Sequence, residues 1–195
     1  MNSNAQNRWD RRYQAEERYR SFTAPRDLLI DHADLLPAQG LALDVAMGLG
    51  GNASFLLKRG LRVVGVDLSG VAVRSARTRL PELMAVQADL GTFYIPAARF
   101  DVLLNFYYLD RSLWPAFTRA LQPGGLLFFE TMTAAMQSLR PDIAPVYLLQ
   151  PGELAQAFPA LETLYYDEGW SKGRSGHPRA TARLIARKDT SEQEI

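Results

Sequence analysis

The 195-residue sequence contains no cysteine. That excludes disulfides, thiolate metal centres and cysteine nucleophiles. Histidine is almost as scarce: His32 and His177 are the only two, too few for a histidine-based metal site or a His-centred triad, so no metal is expected. Neither charge dominates, and a net charge of +1 gives no global field for nucleic acid or a membrane surface. No apolar run approaches the roughly 20 residues of a membrane span. The opening MNSNAQNRWDRR is polar and lacks the apolar core of a secretory leader. These absences predict a cytoplasmic protein. Hydrophobic residues at 47% and charged residues at 22% are ordinary for a soluble globular chain, and the length suits one domain over 1–195.

Most informative is the stretch LALDVAMGLGGNASFLLK at 41–58. An apolar run at 41–45 carries one acid, Asp44. A small-residue turn follows, with Ala46, Gly48, Gly50 and Gly51, and then a helical pattern with Phe55, Leu56 and Leu57. Strand, glycine turn and helix together bind nucleotide-like ligands at the carboxyl edge of a parallel sheet. An acid at a strand end costs desolvation unless a cationic or donating group meets it there.

Along the rest of the chain, residues 1–6 read as disordered. The segment 7–20 has helical composition with Trp9, Tyr13 and Tyr19 among charges, which predicts a surface or lid helix. A second helix is expected over 25–36, opened by Pro25 and stopped by Pro37. Strands are predicted at 41–45, 62–66, 84–87, 100–106 and 126–130. Between them lie helices at 52–59, at 70–80 with Ser69 as N-cap, and at 111–121. Strand 100–106, FDVLLNF, is apolar enough to be buried on both faces. The span 131–150 reads as irregular and 153–158 as a short helix. Strands at 161–166 and 181–187, with no helix between them, predict an antiparallel hairpin. The expected fold is α/β: a Rossmann-like, open, seven-stranded, mostly parallel sheet with helices on both faces and a C-terminal antiparallel β-hairpin. Residues 1–40 form a helical lid, 41–188 the core and 189–195 a tail.

This order, with the turn LDVAMGLGGN, resembles the class I S-adenosylmethionine-dependent methyltransferases over about residues 9–188. WDRRY and NFYYLDR look like the small tellurite-resistance and thiopurine-type members. The resemblance implies S-adenosylmethionine as cofactor, S-adenosylhomocysteine as product, and a methyl group passed by in-line displacement to a small-molecule acceptor. It implies that Asp67 takes the ribose hydroxyls, Asp89 the adenine amine and Asp44 the amino group, and that Asn105 faces the methionine part. The implied cofactor set also includes Trp9, Ala46, Met47, Gly48, Gly50, Asn52, Leu68, Ala88 and Leu90. The sequence departs from the family at Ala46, where a glycine is usual; alanine is workable there with φ below zero. Tyr13, Tyr107 and Tyr108 are the candidate catalytic groups, although no general base is evident. Arg12, Arg111 and Arg140 are candidates for an anionic part of the acceptor.

Three other readings stay open on the residues themselves. Gly48, Gly50 and Ala53, with Asp67 downstream, also fit a dinucleotide fingerprint and hence an NAD-dependent oxidoreductase. A domain that binds the nucleoside cofactor without catalysis is a second. The third is nucleic-acid binding, because 172–188 holds six basic residues and no acid. It is disfavoured by the lack of interleaved aromatics and by the use of charge to protect a sheet edge. A monomer or a homodimer is compatible with the sequence.

Overall fold

A computed structural model describes residues 3–15, 23–172 and 176–190. Its seven strands are β1 (Gly40–Val45), β2 (Leu61–Asp67), β3 (Met84–Gln87), β4 (Phe100–Phe106), β5 (Leu121–Met132), β6 (Leu161–Ser171) and β7 (Arg179–Lys188). They form one sheet in the order β3-β2-β1-β4-β5-β7-β6. All neighbouring pairs up to β5 are parallel. β7 runs antiparallel to both β5 and β6, which makes it the single reversed strand, one position in from the edge. The strand order changes direction between β1 and β4, and ligands settle in the crevice that such a switch opens at the carboxyl ends.

Period-two alternation sorts the side chains between two cores. Leu41, Leu43, Leu103, Leu127 and Phe129 face one side, where helix α5 (Trp114–Ala120) packs through Phe117 and Ala120. Ala42, Val63, Leu104 and Phe128 face the other. There they meet Leu28 and Leu29 of α2 (Asp27–Asp31), Ala53 and Leu56 of α3 (Gly51–Lys58), and Val73 and Ala76 of α4 (Gly70–Arg79). Ser69 caps α4 as expected, its hydroxyl accepting from the Ala72 amide at 3.1 Å.

Several boundaries differ from the sequence-based expectation. Helix α1 begins at Ser3 (Ser3–Ala15), within the segment read as disordered; the predicted continuation over 16–20 lies outside the described residues. The helix expected over 25–36 is a short α-turn followed by a 3-10 turn at Ala33–Leu35. Likewise only a 3-10 turn, Leu154–Gln156, stands at 153–158. β5 starts five residues early because Leu121 already pairs with Phe100 ahead of the Pro123–Gly125 bulge. The hairpin strands are also longer than predicted. The basic run does not guard a sheet edge: β7 is interior, and its arginines pair across the strand, Arg183 with Asp167 and Arg187 with Glu162. Among the described residues, no helix is long and apolar enough to cross a membrane.

Candidate active site

At the carboxyl end of the sheet a cavity of about 190 Å³ opens over the β1–α3 turn. The turn itself is built from left-handed residues: Ala46 at φ 50°, Gly48 at 55° and Gly50 at 75°. Ala46 thus takes a conformation the sequence reading had assumed it would avoid, at a cost of about 1–2 kcal/mol for a residue with a Cβ. Tyr107, on the far wall, is likewise held at φ 60°. Strained non-glycine residues of this kind collect where a site over-determines its backbone.

Asp67 fastens the turn. One carboxylate oxygen accepts from the Gly48 amide at 2.8 Å, and the other accepts from the Ser69 amide at 2.8 Å. Each oxygen keeps a further lone pair for a ligand, and the residue lines the cavity. Burial pushes its pKa up to about 6, the Ser69 and Gly48 amides pulling the other way. Asp44 lies one layer behind, 1% exposed and absent from the cavity wall. Burial and the nearby Asp67 charge push its pKa up to about 7, opposed by the Ala53 amide, Asn52 and Arg26. Its Oδ2 has no hydrogen-bond partner among the described residues. Two acids raised by desolvation beneath a cleft suit a ligand that brings positive charge or donors.

The remaining walls come from four other segments. Ala88, Asp89 and Leu90 follow β3; Asp89 Oδ1 caps its own turn by accepting from the Gly91 amide at 3.1 Å. Phe106, Tyr107 and Tyr108 follow β4. From α1 come Trp9 and Tyr13, their rings stacked with centroids 6.0 Å apart. A Cβ at Gly48 would stand 2.8 Å from the Tyr13 hydroxyl, so α1 rests its phenol directly on the glycine turn. Asp10 holds α1 in that place: its Oδ1 accepts from the Ser69 hydroxyl at 2.5 Å and the Val71 amide at 3.2 Å. Ala24 and Arg26 complete the wall. The Arg26 amide donates to Asn52 Oδ1 at 2.9 Å, and its guanidinium lies 4.6 Å from the centre of the Tyr107 ring.

Of the residues singled out from the sequence, Trp9, Tyr13, Ala46, Met47, Gly48, Asn52, Asp67, Leu68, Ala88, Asp89, Leu90, Tyr107 and Tyr108 share this wall. Gly50 serves the turn instead, as the left-handed N-cap of α3. Asn105 is fully buried and does not face the cavity; its Nδ2 donates to the Tyr108 carbonyl at 2.8 Å, tying β4 to the aromatic loop. Arg12 lies over the Trp9 ring at 4.8 Å. Arg111 is engaged by Glu153 and by the Val146 and Leu148 carbonyls, and Arg140 by Asp142. These contacts fix loops and leave neither arginine on the cavity wall. Missed by sequence reasoning were Asp10, Arg26 and Arg179. An acid on a polar helix and an arginine just after Pro25 carry no local pattern that marks them.

The tyrosines differ from the expected proton carriers. The Tyr107 hydroxyl donates to Glu130 at 2.5 Å, and burial with that carboxylate pushes its pKa up to about 12. Burial, with Asp110 and Asp89 nearby, lifts Tyr108 to about 12 as well.

The open, mostly parallel sheet has one reversed strand next to its edge and an acid at or just past the end of each of its first three strands. Residues 42–125 match the family model described as "Methyltransferase domain". Trans-aconitate 2-methyltransferase of Azoarcus sp. (strain BH72) is 37% identical over 120 residues, covering 58% of this chain and 45% of that protein. Malonyl-[acyl-carrier protein] O-methyltransferase of Enterobacter lignolyticus (strain SCF1) is 35% identical over 107 residues, 51% of this chain and 42% of that one. The chain thus spans less than half the length of these curated relatives. TehB from Haemophilus influenzae shares the fold, with a TM-score of 0.72 at 16% identity over 93% of this chain and 67% of that one. Over residues 42–125 the chain matches a methyltransferase domain, and it shares its fold with solved S-adenosylmethionine-dependent methyltransferases. That match, which spans the glycine turn, favours the methyltransferase reading of it over the nicotinamide one.

Proposed function

We propose that this protein passes the methyl group of S-adenosylmethionine to a small-molecule acceptor in the cavity beneath α1. The observation that carries this reading is the convergence of Asp67, Asp89 and the Tyr13-covered glycine turn on one cavity. Asp67 keeps lone pairs for the two ribose hydroxyls, a bidentate task suited to a carboxylate. Asp89 stands at the next strand end for the adenine amine. The orphaned Oδ2 of Asp44 fits the demand for a cationic amino group, reached directly or through water.

The cofactor supplies a methyl group already activated on a sulfonium. What is left to the chain is orientation and exclusion of water. Trp9, Tyr13, Tyr107 and Tyr108 offer ring faces to a cation, and the Asp10 contacts keep the lid seated. With both Tyr107 and Tyr108 lifted to about 12, neither is a base near neutral pH. An acceptor whose nucleophile is already unprotonated suits a site in which neither of these tyrosines serves as the base. The relatives named for trans-aconitate and for malonyl-[acyl-carrier protein] support an acceptor of this kind. The proposal takes the protein as cytoplasmic and as a monomer or homodimer; light scattering decides the latter.

Calorimetric titration with S-adenosylmethionine and S-adenosylhomocysteine, with NAD as control, is the test. Micromolar binding of the first two and none of NAD is expected. Binding of neither by folded protein would refute the reading.

A further inference from the structure

Exposed hydrophobic side chains are not spread evenly over this molecule. Leu139, Val146 and Tyr147 lie in one segment between β5 and β6, with Val146 64% and Tyr147 51% exposed. Exposed Trp170 stands opposite Ala180 in the β6–β7 pairing, and Ala180 packs with Met136 and Leu148 of that same segment. The segment is held in place. Leu148 and Leu149 are fully buried, the Leu149 amide donates to the Met132 carbonyl at 3.0 Å, and the Ala134 amide donates to the Leu149 carbonyl at 2.8 Å. The Arg111 guanidinium donates to the Val146 and Leu148 carbonyls at 3.1 and 3.0 Å, which ties this turn to the stretch that follows Tyr108. Tyr108 lines the cavity. Burial raises its phenol, and the Tyr147 phenol is close enough to add to that rise. Charge is balanced along the way, because Arg111 pairs with Glu153 and Arg140 with Asp142. From Tyr108 outwards the cavity wall thus continues as an apolar rim.

We infer that Tyr108, Tyr147 and Val146 form an acceptor shelf and that the acceptor carries an apolar, carbon-rich body that lies on it. This rests on the methyl-transfer reading above, in which Asp67 and Asp89 are taken by the cofactor. Exposed apolar surface continuous with a ligand cavity marks a place that a ligand covers. Two tyrosine rings and a valine offer contact area and no charge, so they select for hydrophobic bulk. Arg111 and Arg140 offer no counter-charge here for a second carboxylate or an anionic headgroup, because a carboxylate already matches each guanidinium. The shelf concerns the acceptor's body and not the atom that is methylated. The reacting end enters the cavity, and the body stays at the rim beside Tyr147.

The experiment is calorimetry on the full chain, first with S-adenosylhomocysteine alone and then, with that ligand saturating, with 2-naphthoate. Acetate serves as the same carboxylate without a body, and trans-aconitate as a polar comparator. 2-Naphthoate should bind about tenfold or more tightly than either. Tyr147→Ser should raise its Kd about fivefold to thirtyfold and Val146→Ser about threefold, by loss of apolar contact area. Met84→Ser, which removes an exposed hydrophobic side chain at the start of β3, should leave that Kd unchanged. The affinity of each variant for S-adenosylhomocysteine should change less than about twofold, which also shows that the variant folds. Tighter binding of trans-aconitate, no binding of 2-naphthoate, or the same Kd in Tyr147→Ser and wild type would overturn this inference while the methyl-transfer reading survives. Co-sedimentation with vesicles of phosphatidylcholine and phosphatidylglycerol that Tyr147→Ser abolishes would also overturn it, by assigning the rim to a lipid surface. Folded protein that fails to bind S-adenosylhomocysteine at the first step would end both readings.

Discussion

Replacing Asp44 with asparagine should stabilise the ligand-free protein above neutral pH and, at the same time, weaken its hold on the cofactor. Asp44 is 1% exposed, and its pKa rises from 3.8 to about 7, chiefly through burial. A folded-state pKa above the unfolded one means that the neutral acid is the form the fold prefers. Its stability contribution is complete below the unfolded value and is lost as pH climbs through about 7. Across the whole window the shift corresponds to about 4 kcal/mol. From about pH 6 to about pH 8 the loss is on the order of 1 kcal/mol, or a few °C in Tm for a chain of this size. Asp67, raised to about 6, adds a smaller loss of the same sign. Asparagine has nearly the same shape and no charge to desolvate. Thermal melts of the ligand-free protein at several pH values should therefore show a shallower decline for Asp44→Asn, with the higher Tm at alkaline pH. Calorimetry should show S-adenosylmethionine affinity reduced about tenfold or more. Equal pH slopes for the two proteins would refute the reasoning. An unchanged affinity would remove Asp44 from the binding site.

The same charge balance predicts that wild-type protein releases protons when it takes up S-adenosylmethionine near pH 7, because a cation beside Asp44 favours its ionised form; binding enthalpies that do not vary among buffers of different ionisation heat would contradict this. Ala46→Gly should raise stability by about 1 kcal/mol by relieving the left-handed alanine, read as a higher denaturant midpoint. Gly48→Ala should do the opposite and lower cofactor affinity about tenfold or more, since its Cβ would meet the Tyr13 hydroxyl at 2.8 Å; calorimetry and melts on the one variant measure both. Asp10→Ala frees the Ser69 hydroxyl and the Val71 amide and should speed hydrogen exchange across α1 about fivefold, equivalent to about 1 kcal/mol.

The strands and the acids at their ends were legible because period-two apolar runs that stop at Asp44, Asp67 and Asp89 describe the sheet and its carboxyl edge together. Ser69 was legible for the same local reason. Side-chain partnership across the chain was not. Arg111 and Arg140 looked like free cations in active-edge loops until Glu153 and Asp142 were seen to take them. Arg26 and Arg179 gave no local hint, because Tyr107 stands 81 and 72 residues away from them and only the assembled sheet joins the three. Asn105 sat at the correct strand end, but alternation along β4 and the turn after it directed its amide to the Tyr108 carbonyl. The sign of φ at Ala46 was likewise beyond sequence, since it belongs to a turn held from a distance by Asp67, 19 residues beyond Gly48.

β7 runs against its neighbours, and that reversal decides where the chain's last connection falls. A parallel final strand would have returned the backbone to the far rim of the sheet. The antiparallel one begins at the carboxyl rim of the sheet, so Arg179 stands there beside Tyr107. Substitution of Arg179 can therefore alter what meets Tyr107 at this rim while the register of Thr181 to Arg187 against β5 stays intact. The reversed strand thus gives the carboxyl rim a side chain that can vary without disturbing the sheet behind it.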